Sequence, residues 1–267
     1  MKKLAIIGYG ALGKILVSIL VDKLQEQYEI VGILDQVLQE KNIEVQGQKI
    51  TVFPSFEELL NSPAEMVVEI AGVGAVKEYG SAILSEKKDL VITSVGGLAD
   101  DEILKTLGDK ALENNRKVHL TSGAVGGFDI LQTITMMGGA QTTIESTKAP
   151  KSLNGAPYLK GKDLPEGERT LAFEGNAREA IEGFPKNTNV AVASGLASVG
   201  VDEVKVQIVS DPASQGNTHK IIIENPQAKA VVEISSKVDP KNPKSSVTAA
   251  WSVAALLANL ANPIQLF

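Results

Sequence analysis

The sequence predicts an α/β fold: a doubly wound parallel sheet, followed by a second α+β domain whose sheet is mostly antiparallel. Three observations carry this expectation. Short apolar runs alternate with helix-periodic segments through the first half of the chain. A glycine pattern, Gly8-Tyr9-Gly10-Ala11-Leu12-Gly13, falls at the first strand-to-helix junction. Beyond about residue 129 the alternation gives way to strands in succession, which mark an antiparallel sheet. The expected division is residues 1–128 and 129–241, with a final helix over 242–267 packing back on the first domain.

Taken in order, residues 4–7 form an apolar run suited to a buried strand. Leu12, Ile15, Leu16, Ile19, Leu20 and Leu24 follow at helical spacing, and residues 30–34 make a second strand ending in Asp35. The glycines fit G-x-G-x-x-G, and each has a physical task in holding a dinucleotide. Gly8 allows the tight turn, Gly10 lacks a Cβ that would block a pyrophosphate, and Gly13 lets the helix pack close to the strand. The helix N-terminus at Ala11, Leu12 and Gly13 offers free N–H groups and a positive dipole to the phosphates. Asp35, about 20 residues beyond Gly13, is spaced to accept the adenosine ribose hydroxyls. This is a Rossmann pattern. Gln36 and Val37 follow the acid with no Arg beside them, which leans towards NAD; NADP stays open, since a basic side chain from elsewhere in the fold can reach a 2′-phosphate.

Residues 36–49 read as polar and irregular. A short helix over 56–60 has Ser55 as its N-cap. Strands at 66–70, 90–93 and 118–121 alternate with helices at 75–84 and 100–114. Three strands end in small residues, Ala71-Gly72, Ser94-Val95-Gly96-Gly97 and Ser122-Gly123-Ala124, where open α/β sheets bind ligands. In the second half, strands are expected at 142–149, 171–173, 204–209, 219–224 and 230–236, with helices at 176–184 and 189–198. Residues 151–169 form a Gly/Pro/charge-rich loop. Asn242-Pro243 suits the start of the last helix, which is apolar almost all round and so expected to be buried.

Composition narrows the function classes. The chain has 267 residues, 43% hydrophobic and 4% aromatic, with a formal net charge of −6. No long Lys/Arg run is present, so nucleic acid and anionic membranes are poor candidates for partners. The absence of cysteine excludes disulfides and thiolate chemistry, and no metal site is expected. Lys2 and Lys3 precede an apolar stretch, but the glycines break it too early for a signal peptide, and nothing reaches membrane-span length. A cytoplasmic protein is the expectation. Of the two histidines, His119 sits within a predicted buried strand and reads as structural. His219 begins a strand after the polar loop 211–218, at a sheet edge, where its ordinary pKa near 6.5 suits proton transfer.

These residues carry a resemblance. The segments IGYGALGK (7–14), TSGAVGGFD (121–129), FEGNAREAIEGFPKNTNVA (173–191), NTHKI (217–221) and NPKSS (242–246) resemble the L-aspartate dehydrogenase family over nearly the whole chain. The resemblance implies oxidation of L-aspartate to iminoaspartate, or to oxaloacetate and ammonia, with NAD or NADP, and a supply of iminoaspartate to NAD biosynthesis. It makes His219 the active-site histidine, implies that Ala124 and Asn189 contact the nicotinamide cofactor, and implies a homodimer. The second domain is then the substrate, catalytic and dimerisation domain. Two substrate carboxylates require a cation or a helix N-terminus; Lys186 and Lys244, with Ser245 and Ser246 in the first turn of the last helix, are the candidates by motif. A reductase resembling dihydrodipicolinate reductase or homoserine dehydrogenase would share the first half, as would a non-catalytic NAD(H)-binding sensor.

Overall fold

The computed structural model describes residues 1–165, 167–185, 188–237 and 247–266. The chain divides into two compact units, Met1–Thr121 with Ala249–Phe267, and Ser122–Thr248. That division falls at Thr121, ahead of the boundary expected at 128.

The first unit alternates β1 (Lys2–Ile7), α1 (Ala11–Lys23), β2 (Tyr28–Leu34), β3 (Asn42–Val45), β4 (Gln48–Thr51), α2 (Phe56–Asn61), β5 (Met66–Glu69), α3 (Val73–Ser85), β6 (Asp89–Ile92), α4 (Asp101–Glu113) and β7 (Val118–Leu120). Five strands form a parallel sheet in the order β2-β1-β5-β6-β7. The central strands are buried on both faces, which is why Leu4–Ile7 and Met66–Glu69 are almost continuously apolar. Ser55, the expected N-cap, accepts from Glu58 N at 3.2 Å; Asp100, expected as the first residue of its helix, is instead the N-cap of α4. The order reverses between β1 and β5, and a crevice opens at such a point beyond the carboxyl ends of the strands.

Two expectations are corrected here. Residues 36–49 are not irregular throughout, because β3 and β4 pair as a hairpin. Its turn residues Gln46 and Gly47 have φ of 51° and 81°, the doubly positive backbone that matches strand twist. A Gln-Gly pair advertises this turn less clearly than Asn-Gly does. His119 lies on the edge strand β7 and is half-buried rather than fully enclosed.

The last helix among the described residues, α9, spans Thr248–Ala261, so the expected start at Asn242-Pro243 lies outside them. Residues 262–266 do not continue it. Nor is it buried all round: Ala250, Val253, Ala254 and Leu257 join the core of β1 and α1, while Trp251 is 45% exposed. Tyr28 Oη donates to the Leu257 carbonyl at 2.8 Å, and burial pushes this phenol up to about 12. Enclosing Leu257 contributes about 1.5–3 kcal/mol.

The second unit carries α5 (Phe128–Met136), β8 (Gln141–Lys148), α6 (Pro150–Leu153), β9 (Thr170–Asn176), α7 (Ala177–Gly183), α8 (Asn189–Leu196), β10 (Lys205–Ser210), β11 (Gly216–Glu224) and β12 (Lys229–Lys237). Its sheet runs β12-β11-β8-β10-β9. The β8–β10 pairing is parallel and the others antiparallel. Helix α5 was not anticipated from the sequence. Asn176 and Glu179 form a reciprocal capping box on α7. Tyr158, Phe173 and Phe184 pack as a trio with ring centroids 5.1–5.7 Å apart.

Candidate functional site

In the first unit, the glycine loop follows β1 directly. Gly8 has φ +105°, and a Cβ there would strike the Ala71 backbone at 2.8 Å, so only glycine fits. A Cβ on Gly13 would collide with the Gly8 carbonyl, which explains the close strand–helix packing. A Cβ on Gly10 would meet nothing within 4 Å; it would project into open space in the crevice. That crevice, of about 390 Å³, is lined by Gly8, Gly10, Asp35, Ala71, Gly72 and Gly74 among others. Ala11, Leu12 and Gly13 form the first turn of α1, where Gly10 provides no side-chain cap and no acid intervenes. The N–H groups of this turn are therefore free to receive a phosphate.

Asp35 is tied to the loop it serves. Its Oδ2 accepts from Tyr9 N at 2.6 Å and its Oδ1 from Val37 N at 2.9 Å, fixing the carboxylate at the mouth of the crevice. A second cavity of about 820 Å³ shares Asp35 and carries Lys41 alongside Glu40 and Glu58. Uncapped helix, open Gly10 and fixed acid together fit the pyrophosphate and adenosine ribose of a dinucleotide. If Asp35 excludes a 2′-phosphate, NADH should bind more tightly than NADPH, and Asp35→Ser should narrow or reverse the difference. Nicotinamide fluorescence titration reads this; equal affinities in the wild type would remove Asp35 as the discriminating residue.

Glu69 was missed from the sequence. It is 1% exposed at the end of β5, and its carboxylate accepts from the N–H groups of Ala71, Gly72, Thr93 and Ser94 and from the Ser94 hydroxyl. Burial pushes its pKa up, and the N–H groups of Gly72, Ser94 and Ala71 with the Ser94 hydroxyl oppose that shift by favouring the ionised form. The result is a brace between the turns after β5 and β6. Its one sequence signal is a lone acid closing the apolar run Met66-Val67-Val68.

The second unit holds the other candidates. Its sheet has one inward face: Ile144, Ser146 and Lys148 on β8, Val206, Ile208 and Ser210 on β10, and His219, Ile221 and Ile223 on β11. This face is apolar at one end and polar at the other. His219 stands opposite Ser146, and Nδ1 lies 2.8 Å from Ser146 Oγ. The expected sheet-edge position is corrected: β11 runs between β12 and β8, and His219 is 3% exposed. Burial foremost, then the positive charge of Lys148, holds the imidazole down to about 3. The ring is therefore neutral across the physiological range, with no titration near 6.5. If Ser146 accepts from Nδ1–H, the lone pair is left on Nε2.

Ala124 lies half-buried in the loop after β7, and Asn189 opens α8. Both belong to the same unit as His219. Lys186, Lys244, Ser245 and Ser246 lie outside the described residues. Among the described residues, no helix is long and apolar enough to cross a membrane.

Comparison with known proteins divides the chain at nearly the same place. Residues 8–121 match the family described as homoserine dehydrogenase, NAD binding domain, and residues 129–260 match aspartate dehydrogenase, C-terminal. The chain is 34% identical over 272 residues to the L-aspartate dehydrogenase of Methanosarcina acetivorans, covering 100% of this chain and 99% of that protein. It is 35% identical over 271 residues to the L-aspartate dehydrogenase of Acinetobacter baumannii, covering both chains fully. Among solved structures, the aspartate dehydrogenase of Thermotoga maritima superposes with a TM-score of 0.77 at 30% identity, again over both whole chains.

Proposed function

The chain belongs to the aspartate dehydrogenase family, and on that premise we propose how its residues oxidise L-aspartate to iminoaspartate, which hydrolyses to oxaloacetate and ammonia, and run the reverse reductive amination. The observation that carries the reading is a buried, neutral histidine held by a serine hydroxyl, within the segment that matches the aspartate dehydrogenase C-terminal family.

The cofactor is a nicotinamide dinucleotide, NAD or NADP, which when bound supplies the acceptor for the hydride leaving Cα. Gly8, Gly10, Ala11, Leu12, Gly13 and Asp35 hold its adenosine and pyrophosphate portion, with NAD preferred, and Ala124 and Asn189 meet the nicotinamide end. The substrate enters as an ammonium and must lose a proton before its Cα–H bond can break. His219 takes that proton on Nε2, while Ser146 fixes the tautomer and the ring plane. The imidazolium releases that proton to solvent, and the neutral ring then takes a proton from the water that adds to the imine carbon. It returns this proton to the amine nitrogen, and ammonia departs as the C–N bond breaks and the hydroxyl proton is lost to water. Neutrality matters for both steps, since a protonated imidazole has no lone pair to offer.

Further parts of the reading concern setting. The enzyme is a cytoplasmic homodimer that supplies iminoaspartate to NAD biosynthesis. The long edge strand β12, with Val231 53% exposed, is a surface suited to a second copy. The test of the central activity is a spectrophotometric assay of NADH and NADPH oxidation with oxaloacetate plus ammonia, against other 2-oxo acids. Ammonia-dependent oxidation with oxaloacetate is the expected result. Turnover only with a different 2-oxo acid would replace the substrate, and ammonia-independent turnover would replace the reaction.

A further inference from the structure

We infer that Lys148 is a substrate-binding residue whose ammonium, next to the Ser210 hydroxyl, receives one carboxylate of the dicarboxylate substrate. Lys148 ends β8 and is only 6% exposed. Among the described residues its Nζ has one partner, Asn217 Oδ1, at 3.3 Å. No carboxylate there pairs with it. Ser210, beside it in the β8–β10 register, has a buried Oγ with no partner among the described residues. A buried ammonium without an anionic partner and a hydroxyl without any partner, among the described residues, thus share the inward face. Ser146, two residues back on the same face of β8, holds His219. The separation along the strand is about 7 Å, within the reach of a four-carbon acid. A buried cation without a counter-ion is costly, and a bound carboxylate removes that cost.

The electrostatics around this pair are sparse. Glu145 and Lys220 lie on the opposite face of the sheet, and Glu145 is paired with Arg169. Asp211 gives its backbone N–H to the Lys148 carbonyl, and its own Oδ1 accepts from Ala213 N. Helix α8, packed on β8, carries no ionisable side chain. On α7, Arg178 pairs with Asp202, Glu179 serves the cap and Glu182 is the remaining ionisable residue; α5, packed on β11, carries only the exposed Asp129. Burial pushes Lys148 down to about 8, so it gains and loses its proton in an accessible range. Its charge also contributes to the depression of His219. A carboxylate on Lys148 would relieve that part and make the base stronger when a dicarboxylate is bound.

The inference rests on the proposed activity for its substrate, and succinate separates the two. Succinate has both carboxylates and no ammonium, so its own charge is constant above about pH 7. Its binding to the enzyme–NADH complex, read by nicotinamide fluorescence, should be flat to about pH 8 and then weaken by about tenfold per unit as Lys148 loses its proton. Lys148→Met should weaken succinate about 10–100-fold and abolish the limb. The apolar replacement suits the buried site and should raise Tm; Lys148→Gln is the second variant. Unchanged succinate affinity in a folded variant would overturn the inference, as would a pH-independent wild-type affinity. A collapse of kcat with succinate binding intact would also overturn it, making Lys148 a proton acceptor instead. A wild-type enzyme that binds succinate with the expected limb but does not oxidise aspartate would refute the activity and leave the anion site standing.

Discussion

Replacing His219 with alanine is expected to lower kcat/KM for aspartate by about 10²–10⁴-fold, the usual worth of one positioned acid–base group. NADH affinity should hardly change, because the substitution leaves the glycine loop and Asp35, which line the crevice of the first unit, untouched. His219→Asn should behave similarly, since an amide keeps a polar contact to Ser146 but offers no basic nitrogen. The pH dependence follows from the environment. With the imidazole held at about 3 by burial and by Lys148, the free enzyme's histidine is already in its base form at pH 5. Titration of His219 should therefore add no limb to kcat/KM between about pH 5 and 8. A histidine at its ordinary pKa would place one there. His119→Asn is the internal control: a half-buried strand residue should affect thermal stability more than turnover. A folded His219→Ala protein with near-wild-type kcat/KM would remove the histidine from the mechanism.

Aspartate is expected to exceed alanine in kcat/KM by on the order of 10⁴-fold. The reason is asymmetric. A pocket that receives two carboxylates leaves a desolvated cation unpaired when one is missing, and that penalty exceeds the loss of a methylene contact. Glutamate keeps both charges but is one methylene longer, so it should fall between the two. Steady-state oxidation of the three amino acids at fixed NAD measures this directly. Comparable rates with alanine, or a preference for glutamate, would point to a different amino-acid dehydrogenase.

Much of the first unit is readable in the chain. The turn at Gly8, the packing at Gly13 and the acid at Asp35 are local demands, met by residues within a few positions of one strand–helix–strand passage. Ser55 likewise announces a helix start because a cap acts across three residues. The hairpin at 42–51 was hidden because its turn lacks the commonest dipeptide, and α5 because a glycine-rich stretch precedes it. The His219 strand was found, but its place in the sheet was not, since an edge and an interior strand of this length alternate alike.

The sequence by itself determined the alternation, the dinucleotide loop and the histidine's presence on a strand, because periodicity, capping and glycine sterics act over short spans of chain. Only the tertiary structure decided which charges lose their water. Lys148 is one of 26 basic residues, in phase with Ile144 along β8, and nothing local distinguishes it. Its burial requires β10 and β11 to pair on either side of β8 and α8 to cover them, bringing Ser210, Asn217 and His219 from far along the chain. Glu69 becomes a brace for the same reason, through donors that arrive from the turn after β6. Desolvation depends on everything packed around a group, and that sum does not exist until the chain has folded.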